Sequence, residues 1–431
     1  MLTRSRLEST EETTGMSSIV ATVPSISAPG VIRRKVLIAT AVGLVAACWF
    51  VLLSGWLGVM PGTVTVKRNN VLFNSDTSSW MHRMTDTDRP REDFVHPLDF
   101  ALWRPECRGL YHLLHVFLPP EYAAILACRL FVGSVAGLGV GFMALLALSV
   151  GIGTTQLIPL FLMYLLFSSS STVALPEHFG ISNGLLSLTF IVPLAVTNTA
   201  MRTAFLAVMA ILCGGTTITN AIFPLWSFYR YIIRPLRQRF AIVAVAGSLG
   251  LAAFIFVYLK SSHIHSFVIQ YLNRSVLYHP WRVVTYTIYA VICPAVAPTP
   301  RVYRVPGWDM VFYETGETLR LSYYFGIQAI GAIAWAILLL MSVYKGLQDD
   351  RTRQAVQLLL GWVLFNIVFH NVWGIELFLY APHWSWALMG LVILGIRHLP
   401  RWVTGLLVVP IMGCQIYTLL AIKSALQTIV E

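Results

Sequence analysis

The sequence has little charge. Only 11% of its 431 residues are Asp, Glu, Lys or Arg, whereas 57% are hydrophobic. Soluble domains carry about 25% charged residues, so this composition excludes a soluble globular protein and a disordered one alike. Cysteine is scarce as well: six residues stand far apart, without a CxxC pair or metal-ligand spacing, which excludes a disulfide framework. The chain is therefore expected to be a membrane protein that crosses the bilayer many times.

Long apolar runs predict an all-α fold, a polytopic bundle of about 10–11 transmembrane helices within one membrane domain at 36–431. The runs lie at 36–60, 122–149, 155–172, 181–200, 203–229, 240–259, 282–298, 321–343, 355–375, 384–396 and 402–421. The polar tail 1–35 ends in Arg33-Arg34-Lys35 and is predicted to be cytoplasmic, as are the basic loops 230–239, 345–353 and 397–401. The net charge of +11 thus indicates topology and no nucleic-acid partner, because no basic stretch is interleaved with stacking aromatics.

One predicted span does not fit a single crossing. Residues 203–229 contain Gly214-Gly215-Thr216-Thr217-Ile218-Thr219-Asn220, a run of poor helix formers that Pro224 follows closely. A single crossing would place the basic loop 230–239 outside. A broken pair of half-helices that returns to the cytoplasm keeps the charge rule, and such breaks are tolerated where they line a cavity. Asn220 is therefore a candidate substrate-binding residue. Two external segments are expected, a first loop at 61–121 and a later one at 260–320.

Acidic residues are almost absent from the apolar part of the chain. Glu177 is the only acid between Tyr122 and Trp308, and Glu376 is the only one between Arg351 and Val430. Each lies where an outward span meets an inward one, and each has a histidine nearby, His383 in the case of Glu376. A solvated turn residue explains either acid alone. Carboxylates together with aromatic rings are also what sugar hydroxyls and the C–H face of a pyranose require, although interfacial aromatic belts produce the same pattern.

The first external loop holds eight of the 19 acids, and one of them stands out. Asp76 lies in Asn74-Ser75-Asp76-Thr77-Ser78-Ser79-Trp80, soon after the first span, where a general base could meet a lipid carrier. His96 follows in His96-Pro97-Leu98, and Arg104 is among the cations that could stabilise a departing phosphate. Asp86-Thr87-Asp88 has the form of a divalent-cation motif, but the mixed charges behind it are typical of a solvated loop. No metal site and no cofactor are predicted.

The order of these features resembles the GT-C membrane glycosyltransferases, which use polyprenyl-phosphate sugars. The resemblance rests on an Asp after the first span, His-Pro-Leu in the same loop, and the segment Glu376-Leu377-Phe378-Leu379-Tyr380-Ala381-Pro382-His383-Trp384 near the end. It covers the chain loosely from about residue 36 to 421. It implies that Asp76 is the catalytic base, and that His96 and Glu177 lie near the active site. The chain departs from the family in having no tandem acid at Asp76.

The resemblance implies an inverting glycosyltransferase of a bacterial inner membrane. Its partners would be a lipid-linked sugar donor and a glycan or lipid acceptor on the external face. Two alternatives stay open at this stage. A transporter or flippase for a lipid-linked saccharide would use the same broken helix and lone carboxylates, although the sequence has no internal repeat. A structural subunit of an envelope-synthesis complex would have no site of its own.

Overall fold

A computed structural model describes residues 29–69, 71–73, 75–86, 96–196, 198–233, 280–305, 308–312, 324, 326–373 and 377–430. The predicted span 240–259 and most of the predicted tail 1–35 lie outside these residues. The elements are α1 (Pro29–Trp56), α2 (Val64–Lys67), α3 (Thr77–Thr85), α4 (Asp99–His115), α5 (Pro120–Ser149), α6 (Thr154–Leu165), α7 (Ser170–Val173), α8 (His178–Ala195), α9 (Thr199–Thr216), α10 (Ile222–Phe228), α11 (Pro280–Ile292), β1 (Arg301–Val305), β2 (Trp308–Phe312), α12 (Ile327–Gln348), α13 (Asp350–Trp373), α14 (Leu377–Tyr380), α15 (Pro382–Ile396) and α16 (Arg401–Val430).

The described chain is a helical membrane bundle. Seven of its helices, α1, α5, α8, α9, α12, α13 and α16, are long and apolar enough to cross a bilayer. Three shorter apolar helices lie in α6, α11 and α15. Helix α15 is buried along its whole length, so neighbouring helices surround it on every side. A multi-pass membrane protein follows from these helices, and it agrees with the all-α bundle that the sequence predicts.

Glycines let α1 and α5 pack closely in antiparallel directions. On α5, Gly133, Gly137 and Gly141 follow one another at four-residue spacing and form one stripe on the helix. A Cβ on Gly137 would lie 2.6 Å from the backbone nitrogen of Ala47, and one on Gly141 would lie 3.2 Å from Cα of Gly43. Small residues at such a spacing allow backbones to approach, which is how membrane helices gain packing energy without a hydrophobic driving force.

Basic residues gather at one end of the bundle, which we call the basic end and define by Val150, Arg230, Asp349 and Arg397. The guanidinium of Arg397 pairs with the Asp349 carboxylate and donates to the Val150 carbonyl at 3.2 Å. Arg230 donates to Gln357 Oε1 at 3.1 Å. These contacts join the turns α5–α6, α12–α13 and α15–α16. The loops 345–353 and 397–401 therefore lie together, and Arg230, at the start of the third predicted cytoplasmic loop, contacts α13 near them.

The chain turns back on itself directly after α9. Helix α9 ends at Thr216. The next residue, Thr217, is extended with φ −149° and ψ 120°, and a 3₁₀ turn at Ile218–Ala221 leads into α10 and a π-helical turn at Tyr229–Ile233. The guanidinium of Arg202, near the start of α9, lies 5.8 Å from the ring centroid of Tyr231. The two legs are therefore antiparallel, and α9 and α10 form a helical hairpin whose turn lies in the glycine and threonine run.

The opposite end of the bundle, the loop end, is defined by Trp56, Pro120, Glu177 and Pro382. The described parts of the predicted first external loop contain the helices α2, α3 and α4. Within the predicted segment 260–320, β1 and β2 pair in antiparallel register from Arg301 opposite Phe312. The backbone of 71–73 joins this hairpin through Val311. The loop end is thus partly β, an addition to the all-α expectation.

Candidate functional site

A buried hydrogen bond links the first loop to the start of α8. Thr77, the first residue of α3, donates its hydroxyl to Glu177 Oε1 at 2.7 Å. The Ser75 hydroxyl lies 3.1 Å from that of Thr77. Glu177 immediately precedes α8 and is only 2% exposed. The acid that the sequence leaves isolated among apolar residues is therefore buried against hydroxyl groups of residues 75–77 and is not a solvent-exposed turn residue.

Two further carboxylates act on Glu177. The pKa of Glu177 is raised from 4.5 to about 8, mainly because the group is buried, and the negative charges of Asp76 and Asp99 add to this rise. Hydrogen bonds from Thr77 and Ser75 oppose it. Glu177 is therefore a neutral, protonated carboxyl at pH 7. Asp76 itself is exposed, at the residue before α3, so the site pairs one buried neutral acid with one solvated acid.

His96 bridges the first loop and the α9–α10 hairpin. Its Nδ1 lies 2.8 Å from the carbonyl oxygen of Thr216, the last residue of α9. A carbonyl only accepts, so the proton is assigned to Nδ1, and Nε2 is the acceptor of the ring. Trp103 donates its indole N–H to the Thr216 hydroxyl at 2.8 Å. The ring of His96 lies 3.9 Å, centroid to centroid, from that of His178. The hairpin tip is thereby held against the site.

Three more buried histidines extend inward from His96. The rings of His178 and His383 are 6.4 Å apart, and His370 stacks on Tyr380 at 4.8 Å. Within the described residues, His178 Nε2, both ring nitrogens of His383 and His370 Nδ1 have no hydrogen-bond partner. Buried polar atoms are normally satisfied, so each such atom calls for a polar ligand or a water. We call His178, His370 and His383 the histidine cluster.

Aromatic side chains surround this cluster. The Phe179 ring lies 4.1 Å from that of His178 and 5.9 Å from that of His383, and the Trp384 ring lies 5.4 Å from that of His370. The indole nitrogens of Trp362 and Trp386 both donate to the backbone carbonyl of His383, at 2.9 and 2.8 Å. The start of α15 is thus fixed from two sides, which positions its histidine.

The predicted site residues fall into three groups. Asp76, His96, Glu177 and His383 come together at the loop end. Asn220 joins them from the hairpin, since it is fully buried and donates to the Ser182 hydroxyl at 3.0 Å, one turn along α8 from His178. Arg104 does not: it donates to the backbone carbonyl of Asp86, at the far end of α3. Glu376 lies outside the described residues.

Sequence reasoning missed Asp99, His178 and His370 as site residues. Asp99 is 1% exposed and accepts the indole N–H of Trp80 at 2.8 Å. A signal existed for two of them: Asp99 directly follows His96-Pro97-Leu98, and His178 is the neighbour of Glu177. For His370 nothing in its own segment marks it, because its role depends on Tyr380 and Trp384 from α14 and α15.

The arrangement offers an exposed carboxylate, a buried neutral acid, imidazole ring nitrogens, and flat aromatic faces. Such groups bind hydroxyl-rich or phosphorylated ligands and move a proton from a hydroxyl. Among the described residues, no group of three or more His, Cys, Asp or Glu side chains is placed to hold a metal ion. In comparisons with family models, curated proteins and solved structures, no match to this chain was found.

Proposed function

We propose that the protein is an inverting glycosyltransferase of GT-C type, which transfers a sugar from a polyprenyl-phosphate donor to an acceptor hydroxyl at the loop end. One observation supports this above the others: exposed Asp76 directly precedes Thr77, which bonds Glu177, and Glu177 adjoins a buried histidine cluster in which four ring nitrogens have no hydrogen-bond partner among the described residues. The proposal places the loop end outside a bacterial inner membrane and the basic end in the cytoplasm, in keeping with the positive-inside rule.

In the proposed reaction, the acceptor oxygen attacks the anomeric carbon of the donor. The bond from that carbon to the phosphate oxygen breaks, and its electron pair leaves with the polyprenyl phosphate. The Asp76 carboxylate accepts the proton of the acceptor hydroxyl. Glu177 and the histidine cluster hold the sugar by hydrogen bonds, and Phe179 covers its C–H face. General-base catalysis contributes roughly 10²–10⁴-fold to such a rate.

A second function, transport or flipping of a lipid-linked saccharide, has support from the re-entrant hairpin. Its tip contacts His96 through the Thr216 carbonyl. A movement of the hairpin would therefore reach the site directly, and broken helices at a binding site are a feature of transporters. In that case Asp76 would bind the substrate without any chemistry.

Replacement of the proposed base separates the two functions. Wild type and Asp76→Asn are reconstituted in liposomes with radiolabelled polyprenyl-phosphate hexoses and pentoses and a membrane extract as acceptor source. Transfer of label should fall roughly 10²–10⁴-fold in the variant, because Asn cannot accept a proton at neutral pH. Asp86→Asn, at the far end of α3, is the matched control and should keep wild-type activity.

Three outcomes would count against the proposed mechanism. Normal transfer by the Asp76→Asn variant would show that Asp76 is not the catalytic base. Movement of the labelled lipid across the bilayer without transfer would favour the transporter. Loss of transfer on chelation with EDTA would return Asp86 and Asp88 to consideration as cation ligands, since carboxylate oxygens suit hard divalent ions.

A further inference from the structure

A groove at the loop end lies between the end of α1, helix α2 and the last turns of α16. Its volume is about 440 Å³, which is within the usual range for small-ligand sites. Leu57 and Leu426 supply buried apolar walls, whereas Thr63, Thr65, Lys423 and Gln427 supply polar ones. The groove is therefore amphipathic, with a single cation among its lining residues.

Lys423 lies opposite to the basic end of the bundle. It is 22 residues beyond Arg401 on α16, which corresponds to about 33 Å of helix and so to the full thickness of the hydrocarbon layer. The positive-inside rule concentrates cations at the other side. A half-buried lysine at this level therefore needs a local explanation.

Contacts with α1 explain part of this position. The ammonium of Lys423 donates to the Trp56 carbonyl at 2.8 Å and lies 5.6 Å from the centroid of the Trp56 ring. A cation is favourable at the carboxyl end of a helix. This cap uses one N–H of the three that an ammonium carries. No carboxylate among the described residues forms an ion pair with Lys423. The charge is thus fixed in place with donors to spare.

We propose that this groove binds the phosphate group of an anionic lipid from the leaflet at the loop end. Lys423 would donate to the phosphate oxygens, with the Gln427 amide beside it as a second donor. Leu57 and Leu426 would contact the start of the acyl or prenyl chain. Charge complementarity selects an anion, and the membrane setting together with the apolar walls selects a lipid.

The groove shares an element with the candidate site. Helix α2 lines the groove with Val64 and Thr65, and the carbonyl of Val66 accepts the Ser78 hydroxyl of α3 at 2.6 Å. Asp76 directly precedes α3. A lipid in the groove would therefore stabilise the segment that carries Asp76. The inference does not depend on the proposed transferase reaction, because it is tested by binding alone.

Native mass spectrometry of the full-length protein measures the binding directly. Wild type and Lys423→Gln are titrated with phosphatidylglycerol, with a polyprenyl phosphate and with neutral phosphatidylcholine. Lys423→Gln removes a charge-assisted contact. It should weaken the binding of one molecule of anionic lipid roughly 10- to 100-fold and leave the binding of phosphatidylcholine unchanged. Lys345→Gln is the matched control, since Lys345 is half-buried at the basic end and also lies over a ring, that of Tyr344.

The two anionic lipids distinguish the source of the phosphate. A Lys423-dependent preference for the polyprenyl phosphate would identify the groove as a carrier site, and one for phosphatidylglycerol would identify a site for bulk lipid. Lys423→Arg keeps the charge and should keep the binding, which separates charge from folding if the Gln variant is unstable. If a folded Lys423→Gln protein binds each anionic lipid as tightly as wild type does, the proposal is overturned.

Discussion

Replacement of Glu177 by Gln tests whether the buried acid is neutral. The difference between an ordinary glutamate pKa of 4.5 and the folded-state pKa of about 8 corresponds to roughly 5 kcal/mol of unfolding free energy. The native protein holds this proton up to about pH 8, whereas the unfolded chain loses it near pH 4.5. The contribution of Glu177 to the free energy of unfolding is therefore most favourable below pH 4.5, and it is lost as the pH rises toward 8.

Gln has the shape of a protonated glutamate and can still accept the Thr77 hydroxyl. At pH 5 the variant should unfold at nearly the wild-type temperature. At pH 8.5 it should be more stable than wild type by several kcal/mol, because no charge has to be buried. Thermal unfolding in detergent, followed by tryptophan fluorescence from pH 5 to 9, measures this difference. Glu106→Gln, at an exposed position of α4, is the control and should show no such pH-dependent gain.

Activity adds a second measurement on the same variant. If Glu177 orients substrate as a neutral donor, Glu177→Gln should keep transferase activity within roughly tenfold of wild type, far above Asp76→Asn. A Gln variant that is inactive, or one whose stability relative to wild type does not change between pH 5 and 8.5, would refute the assignment of a neutral Glu177.

Two predictions concern packing and the basic end. Gly137→Ala should destabilise the protein by about 1–3 kcal/mol, because the new Cβ would overlap backbone atoms of Ala47. Gly405→Ala has open space around it and should leave the stability unchanged. Melting curves in detergent compare the two variants. Asp349→Asn removes the partner of Arg397 and should lower stability by about 1–3 kcal/mol at low salt. An unchanged melting temperature for Asp349→Asn would show that the α12–α13 turn does not need this ion pair.

Much of the helical architecture could be predicted from the sequence because a bilayer imposes its own pattern. Apolar runs give the helices, and the weak helix formers at Gly214 to Asn220 give the hairpin tip, since backbone preference there is local. The β-hairpin also left a local signal, because β-branched and aromatic residues flank the turn dipeptide Pro306-Gly307 on both sides. The interpretation of 260–320 as an external segment followed the surrounding apolar runs and did not use this dipeptide.

The sequence marks His383 and the histidine next to Glu177, but the meeting of His178, His370 and His383 in one cluster could not be predicted, because they are distant in the chain. His178 and His383 are separated by 205 positions and meet only when α8 packs on α15. The same holds for the groove at Lys423, which needs the end of α1 beside the end of α16. Local sequence marks which side chains are unusual. Tertiary packing decides which of them become neighbours, and here it excluded Arg104 and added Asp99.

The α9–α10 hairpin predicts that its two ends lie on the same side of the membrane. If α9 crossed the membrane and α10 continued outward, residues near Ala200 and Tyr229 would lie on opposite sides. The contact of Arg202 with Tyr231 requires both to be at the basic end. Ala200→Cys and Tyr229→Cys occupy exposed positions, and Glu121→Cys is the matching exposed position at the loop end.

Labelling with a membrane-impermeant maleimide distinguishes these topologies in a background in which the exposed Cys48 is replaced by serine. In intact cells we expect Glu121→Cys to react, and Ala200→Cys and Tyr229→Cys to react only after permeabilisation, because the positive-inside rule holds the basic end in the cytoplasm. If positions 200 and 229 both react in intact cells and position 121 does not, the protein has the opposite orientation in the membrane and the hairpin is still correct. Reaction of Tyr229→Cys together with Glu121→Cys, while Ala200→Cys stays protected, would contradict the hairpin itself and with it the contact between its tip and His96.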